Sequence, residues 1–149
     1  ATNAEAIAGT AGVLPDAAGV HAAIRGLAVG TVSQSGGVPT GAIIERGINV
    51  NGGYVRFADG TQICTARLSS GKSLYTWTYP STFIDSPSVT ASTESGAPAN
   101  PIVVYINNIG IPTNTDVVIR KLYLIYPKAS TFYDAAGEQV RFTAIGRWY

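Results

Sequence analysis

Residues 53–64 read Gly53-Tyr54-Val55-Arg56-Phe57-Ala58-Asp59-Gly60-Thr61-Gln62-Ile63-Cys64. Two alternating arms meet at an Asp-Gly pair, and an alternating run can bury only one face of a strand. The pair supplies residues that tolerate the positive φ a tight turn demands. The spacing therefore predicts a β-hairpin at Asp59-Gly60, and everything after it continues in the same manner.

Downstream, 72–79 alternates, with Leu74, Thr76 and Thr78 on one side and Tyr75, Trp77 and Tyr79 on the other. Further strand-like runs cover 88–93, 102–109, 117–126 and 140–148, with an earlier one opening at 42–45. Pro80, Pro98, Pro101, Pro112 and Pro127 punctuate these runs where a strand should end. About seven or eight short strands with turn signals between them predict an all-β fold, an antiparallel β-sandwich. The first 28 residues differ. They are rich in Ala and Gly, and Val20, Ile24 and Leu27 fall at helical spacing behind Asp16, an N-cap candidate. A helix of about three turns cannot hold itself together in water, so this one must pack on something, and copies about a threefold axis would serve. The expected organisation is a helical trimerisation stem over 1–32, a Gly- and Ser-containing linker over 33–41, and a β-sandwich head over 42–149.

Charged residues make up 13% of the chain against the usual quarter or so, while 46% is apolar. A surface so poor in charge fits one partly covered by partner subunits. Ten basic and nine acidic side chains nearly cancel and form no basic stripe, so nucleic acid is not an expected partner. No apolar run reaches spanning length, so membrane insertion is not expected either.

Counting removes much of catalysis. His21 is the single histidine and Cys64 the single cysteine, so a Ser-His-Asp or Cys-His site, a polyhistidine metal centre within one chain, and an intrachain disulfide are all excluded. His21, on the stem, reads as structural or solvent-facing; three copies on a threefold axis are the one route to a His₃ shell. Asp59 is explained by its turn, Asp16 by capping, and Asp116 and Asp134 by loop positions. No nucleotide-binding glycine loop or calcium loop is present. No enzyme activity and no cofactor are expected.

What remains is aromatic and amide chemistry, which suits sugars: C–H faces lie on Trp or Tyr while amides, carboxylates and guanidinium groups bond the hydroxyls. The platforms are Tyr75, Trp77, Tyr79, Tyr105, Tyr133 and Trp148. The polar partners are Asp85, Asn107, Asn108, Asn114, Asp134 and Arg147. The loops near 94–101, 107–115 and 128–138 are the expected binding surface. Tyr133, Asp134, Asn107, Asn108, Asn114 and Trp77 form the leading glycan-binding set.

Three segments carry a resemblance. Ala1-Thr2-Asn3-Ala4-Glu5-Ala6-Ile7-Ala8-Gly9-Thr10 resembles the stem unit of phage and prophage tail fibres, and the 53–64 hairpin resembles that of their tip domains. The run Phe142-Thr143-Ala144-Ile145-Gly146-Arg147-Trp148-Tyr149 is similar to the ending of tail-fibre heads. At 14–20 the chain has Leu-Pro-Asp-Ala-Ala-Gly-Val where such stems run Thr-Pro-Ala-Gly-Leu, a departure that touches the stem geometry. Phe83-Ile84-Asp85-Ser86-Pro87-Ser88-Val89 also resembles the Phe-x-x-x-Pro-x-Val signature of H-type lectins, trimeric sandwich proteins. The resemblance implies a homotrimer at the end of a virion tail fibre or a tail-like particle. It would join an upstream shaft or baseplate and bind a bacterial surface glycan, or a protein receptor, for host adsorption. A purely structural fibre domain and a depolymerase of capsule or lipopolysaccharide are the alternatives.

Overall fold

The computed structural model describes residues 17–69, 74–94, 102–106, 111–123 and 139–149. Among these residues it is mostly β, with one short helix, and the chain divides into two compact units. The smaller holds the chain to Arg46 together with Val55–Gly60; the larger holds Gly47–Tyr54 and Thr61–Tyr149.

In the smaller unit, α1 (Ala17–Ala28) begins directly after Asp16, which itself lies outside the described residues. The last helical bond runs from the Val29 amide to the Arg25 carbonyl at 3.2 Å, and the Leu27 carbonyl then takes a donor from outside the helix, the Ile43 amide at 2.8 Å. The segment expected as a linker holds a small hairpin, β1 (Gln34–Ser35) paired antiparallel with β2 (Val38–Pro39). Its two-residue turn is Gly36-Gly37, with φ of 58° and 83°, a double positive-φ turn whose twist matches that of the strands. Hydrogen bonds from Gly30 N to Ile44 O and from Ala42 N to Thr31 O then lead into β3 (Ile44–Asn49). Glu45 binds twice, accepting from the Val32 amide at 3.0 Å and pairing with Arg56 at 3.8 Å.

The predicted hairpin is present as β4 (Gly52–Phe57) and β5 (Thr61–Ser69). Its loop has three residues rather than two: the Gly60 amide reaches back to the Phe57 carbonyl at 3.0 Å, and Gly60 takes φ 93°. The remaining strands are β6 (Leu74–Thr78), β7 (Ser88–Glu94), β8 (Ile102–Ile106), β9 (Asp116–Tyr123) and β10 (Gln139–Arg147). They form a five-stranded sheet in the order β3-β4-β5-β10-β7 and a three-stranded sheet in the order β6-β9-β8. Strand β10 pairs antiparallel with both β5 and β7, so the last strand in sequence lies inside the larger sheet.

Alternation sets the core of the larger unit. Cys64 on β5 and Val140, Phe142 and Ala144 on β10 point one way; Trp77 on β6 and Val117 and Ile119 on β9 join them in one buried cluster with Tyr79 and Phe83. The Trp77 ring stacks on Phe142 with centroids 5.2 Å apart and meets Tyr79 edge-on at 5.0 Å. Rings packed in this way contribute beyond the area they bury.

Candidate functional site

The segment 79–87, which carries the lectin-like signature, has no regular secondary structure, so its backbone groups need partners from elsewhere. Neighbouring segments supply them. Gln62, fully buried on β5, donates from Nε2 to the carbonyls of Ser81 at 2.9 Å and Thr82 at 3.2 Å, and the Cys64 thiol leans on the same Ser81 carbonyl at 3.6 Å. The Phe83 amide donates to the Asn114 carbonyl at 2.9 Å, and the next amide, Ile84, donates to the Arg147 carbonyl at 2.8 Å. Ser86 Oγ bonds the Pro112 carbonyl. Buried Phe83 and Pro87 act as the apolar anchors, leaving Ile84, Asp85 and Ser86 exposed between them.

These bonds gather three segments at one end of the larger unit. The second segment is a hydroxyl-centred turn: Thr113 Oγ1 accepts from the amides of Thr115 at 3.1 Å and Asp116 at 3.0 Å, and the Asp116 carbonyl accepts from the Thr113 amide at 2.8 Å. Asn114 sits in this turn and is exposed. The third is the end of β10 with Trp148 and Tyr149 beyond it. The Arg147 guanidinium lies 5.4 Å from the Tyr149 ring centroid while its Nε donates to the Tyr149 carbonyl at 3.2 Å. Tyr149 in turn meets Trp148 edge-on at 4.5 Å. Two half-buried rings and a guanidinium at the end of β10, with exposed Asp85 and Asn114 on the adjoining segments, are residue types that sugar sites use.

Of the leading glycan-binding set, Asn114 is therefore exposed in a braced turn beside this cluster. Trp77 is corrected: its ring is 1% exposed, stacked on Phe142, and its Nε1 donates to the Asn51 carbonyl at 3.0 Å, so no face is open to a ligand. Alternation on β6 aims Trp77 inward together with Tyr79, which is also buried. Tyr133, Asp134, Asn107 and Asn108 lie outside the described residues, as do the loops near 94–101 and 128–138. Asp85, Arg147 and Trp148 come to the same end of the unit. Tyr149 was missed as a platform, although its place directly after Arg147 and Trp148 marks it.

The sequence reading also missed a concave surface on the other face of the larger sheet. A groove of about 400 Å³ is lined by Thr65 and Arg67 of β5, Arg141 and Thr143 of β10, and the hairpin residues Ile48, Gly52 and Gly53, among others. In sequence these strands read Thr65-Ala66-Arg67 and Arg141-Phe142-Thr143, which become neighbours only through the β5–β10 pairing. Among the described residues, no group of three His, Cys, Asp or Glu side chains is arranged to hold a metal ion. Among them, too, no helix is long and apolar enough to cross a membrane.

No family model, curated protein or solved structure matches this chain.

Proposed function

We propose that the chain is a homotrimeric tail-fibre tip of the phage type, with a β-sandwich head that binds a bacterial surface receptor, preferably a polysaccharide. The observation that carries this reading is the poverty of the smaller unit's core. Its buried apolar side chains among the described residues are Val32 and Ala42, whereas Val20, Ile24, Leu27, Val29 and Ile43 are exposed. On α1 the buried residue is Gly19, and Ile24 and Leu27 stand 58% and 51% exposed along one stripe. A unit this small does not hold together on so little burial, and oligomerisation is the usual remedy. Three copies of the stripe facing one another supply the missing core and present three identical heads.

Adhesion is supported by the aromatic and polar groups gathered at Asp85, Asn114 and Arg147–Tyr149. A single shallow site of this kind binds a sugar weakly, on the order of millimolar. Three sites on one trimer raise the working affinity through their high effective concentration. The stem and hairpin resemblances point the same way.

The test pairs solution mass with binding of labelled protein to whole bacterial cells, before and after periodate oxidation of their glycans. A trimeric mass with binding lost after periodate is the expected result. Binding that survives periodate redirects the reading to a protein receptor. A monomeric mass overturns the trimer, and failure to bind any strain favours a purely structural fibre domain. Release of sugar fragments from the cells would favour the depolymerase. Replacing Val20, Ile24 and Leu27 together by serine should convert the trimer to a monomer or an unfolded chain.

A further inference from the structure

We propose that Asn51 is a site of self-modification, where attack by the Gly52 backbone nitrogen strips the side-chain amide and the isoaspartate product loosens the core under the hairpin tip. The inference goes beyond adhesion and does not rest on it.

Asn51-Gly52 is the one Asn-Gly pair in the sequence. It lies in the short turn between Asn49, the last residue of β3, and Gly52, the first of β4, within the larger unit. In the reaction the Gly52 nitrogen bonds to Cγ of Asn51 and the side-chain nitrogen leaves as ammonia, closing a succinimide ring. Water then opens the ring at either of its two carbonyls. One opening leaves an aspartate. The other leaves an isoaspartate, in which the main chain runs through Cβ and Cγ. The co-reactant is water, and no electrons change hands. A side chain on the following residue would crowd the attack, and glycine has none.

Two asparagines flank Val50 in this turn, and they are held differently. The Asn49 carboxamide is bound at both ends: Nδ2 donates to the Pro80 carbonyl at 2.9 Å, and Oδ1 accepts from the Asn51 amide at 2.9 Å. Its following residue is Val50, whose branched, stiff side chain stands beside the nitrogen that would attack. Asn51 is bound through its backbone, by that amide and by its carbonyl, which accepts from Trp77 Nε1 at 3.0 Å. Among the described residues no hydrogen bond holds its carboxamide. Its Cγ can therefore swing toward the Gly52 nitrogen, whereas that of Asn49 is tied down. Solvent reaches the turn as well, since Val50 is 97% exposed.

The same contacts give the product a consequence. In the isoaspartate, the carbonyl that Trp77 binds leaves the main chain as a carboxylate, and the backbone gains an extra methylene before Gly52. The packing has little room for it: a Cβ on Gly52 would already fall 2.2 Å from the Thr65 carbonyl oxygen. The longer chain either shifts Gly52 against β5 or draws residue 51 away from Trp77. Trp77 packs on both Phe142 and Tyr79, so the disturbance enters the aromatic core. The hairpin tip thus has a chemical lifetime, and the fold records its own age.

The test holds the full native chain in warm, mildly alkaline buffer for weeks and digests samples with trypsin, with a fresh sample as the baseline. Cleavage after Arg46 and Arg56 releases residues 47–56, which carry both asparagines. Electron-transfer fragmentation of that peptide separates the two positions and tells isoaspartate from aspartate. Acid should accumulate at Asn51, with isoaspartate the larger product, while Asn49 and the exposed Asn114 remain amides. The aged protein should melt at a lower temperature, with its tryptophan emission shifted to the red. Asn51→Gln should prevent both changes and, when fresh, melt as wild type does, because the side chain it replaces makes no hydrogen bond among the described residues. Fresh Asn51→Asp adds the charge without lengthening the backbone, and it too should melt like fresh wild type. A midpoint already as low as that of the aged protein overturns the isoaspartate mechanism. If Asn51 stays an amide in the native chain yet converts in urea, the fold protects it and the proposal fails. Faster conversion at Asn49, or modified protein that melts like fresh protein, overturns it equally.

Discussion

A Cβ placed on Gly146 would lie 2.9 Å from Cδ1 of Phe83, and 3.1 Å from Cβ of Pro87. The end of β10 is thus shaped to receive the ring that anchors the 79–87 segment. Phe83 is buried and Pro87 is buried, so neither neighbour is a mobile surface tip that could swing away. The Phe-x-x-x-Pro run and the Ala-Ile-Gly-Arg-Trp ending, far apart in sequence, are two halves of one contact.

Gly146→Ala should therefore destabilise the larger unit by about 1–3 kcal/mol, the usual cost of overpacking. Thermal unfolding of the purified variant measures it. An unchanged midpoint would mean that Phe83 repacks freely, and the contact would then have no role in holding the loop.

Gln62→Leu should cost about 1–3 kcal/mol despite adding apolar surface, because it strips the donor from two carbonyls, those of Ser81 and Thr82. Hydrogen exchange should rise at the Phe83 and Ile84 amides before it rises on β5. Uniform loss of protection would point to global rather than local loosening.

Tyr79 gives a prediction in the opposite direction. Its phenol is buried with no hydrogen-bond partner among the described residues, and burial, with smaller contributions from Asp116 and Cys64, pushes its pKa well above the usual tyrosine value. A raised folded pKa means that the native state keeps its proton where the unfolded chain loses it. The associated stability is complete below about pH 10 and falls as pH rises beyond it. Tyr79→Phe should be neutral or stabilising by about 1 kcal/mol near neutral pH, since it removes an unsatisfied hydroxyl. Urea melts of wild type and variant between about pH 9 and 11 should diverge, with the wild type losing stability faster. Parallel curves would count against the assignment.

Trp77→Ala should unfold or severely destabilise the larger unit, by about 3–5 kcal/mol. Trp77→Phe keeps a ring against Phe142 but leaves the Asn51 carbonyl without its donor, so a loss of about 1–3 kcal/mol is expected. If Trp77→Phe kept its melting temperature and lost cell binding, the ring would have to be a ligand platform after all.

Strands were legible because alternation and proline punctuation are local. Ser88–Glu94, Asp116–Tyr123 and Gln139–Arg147 each lie within a few residues of the sequence expectation. The Gly36-Gly37 turn was present in the sequence, but with only two residues on each side it read as a joint. The three-residue loop at Ala58–Gly60 was read as a two-residue turn because Asp-Gly fits both. Site residues were harder to read, since they depend on which strands become neighbours. Trp77 could be aimed inward or outward by one residue of register, and Phe142 across the core decides it. Arg67 and Arg141 are separated by most of the head's length, and only the pairing of β5 with β10 makes them opposite partners.

That pairing also orders events in time. Strand β10 fills the gap between β5 and β7, so a chain emerging from the ribosome holds two finished strands with nothing between them until residues 139–147 appear. During that interval the facing edges of β5 and β7 are open to any extended segment nearby. Mispairing and closure of the sheet then become competing steps, decided by how quickly the final strand arrives.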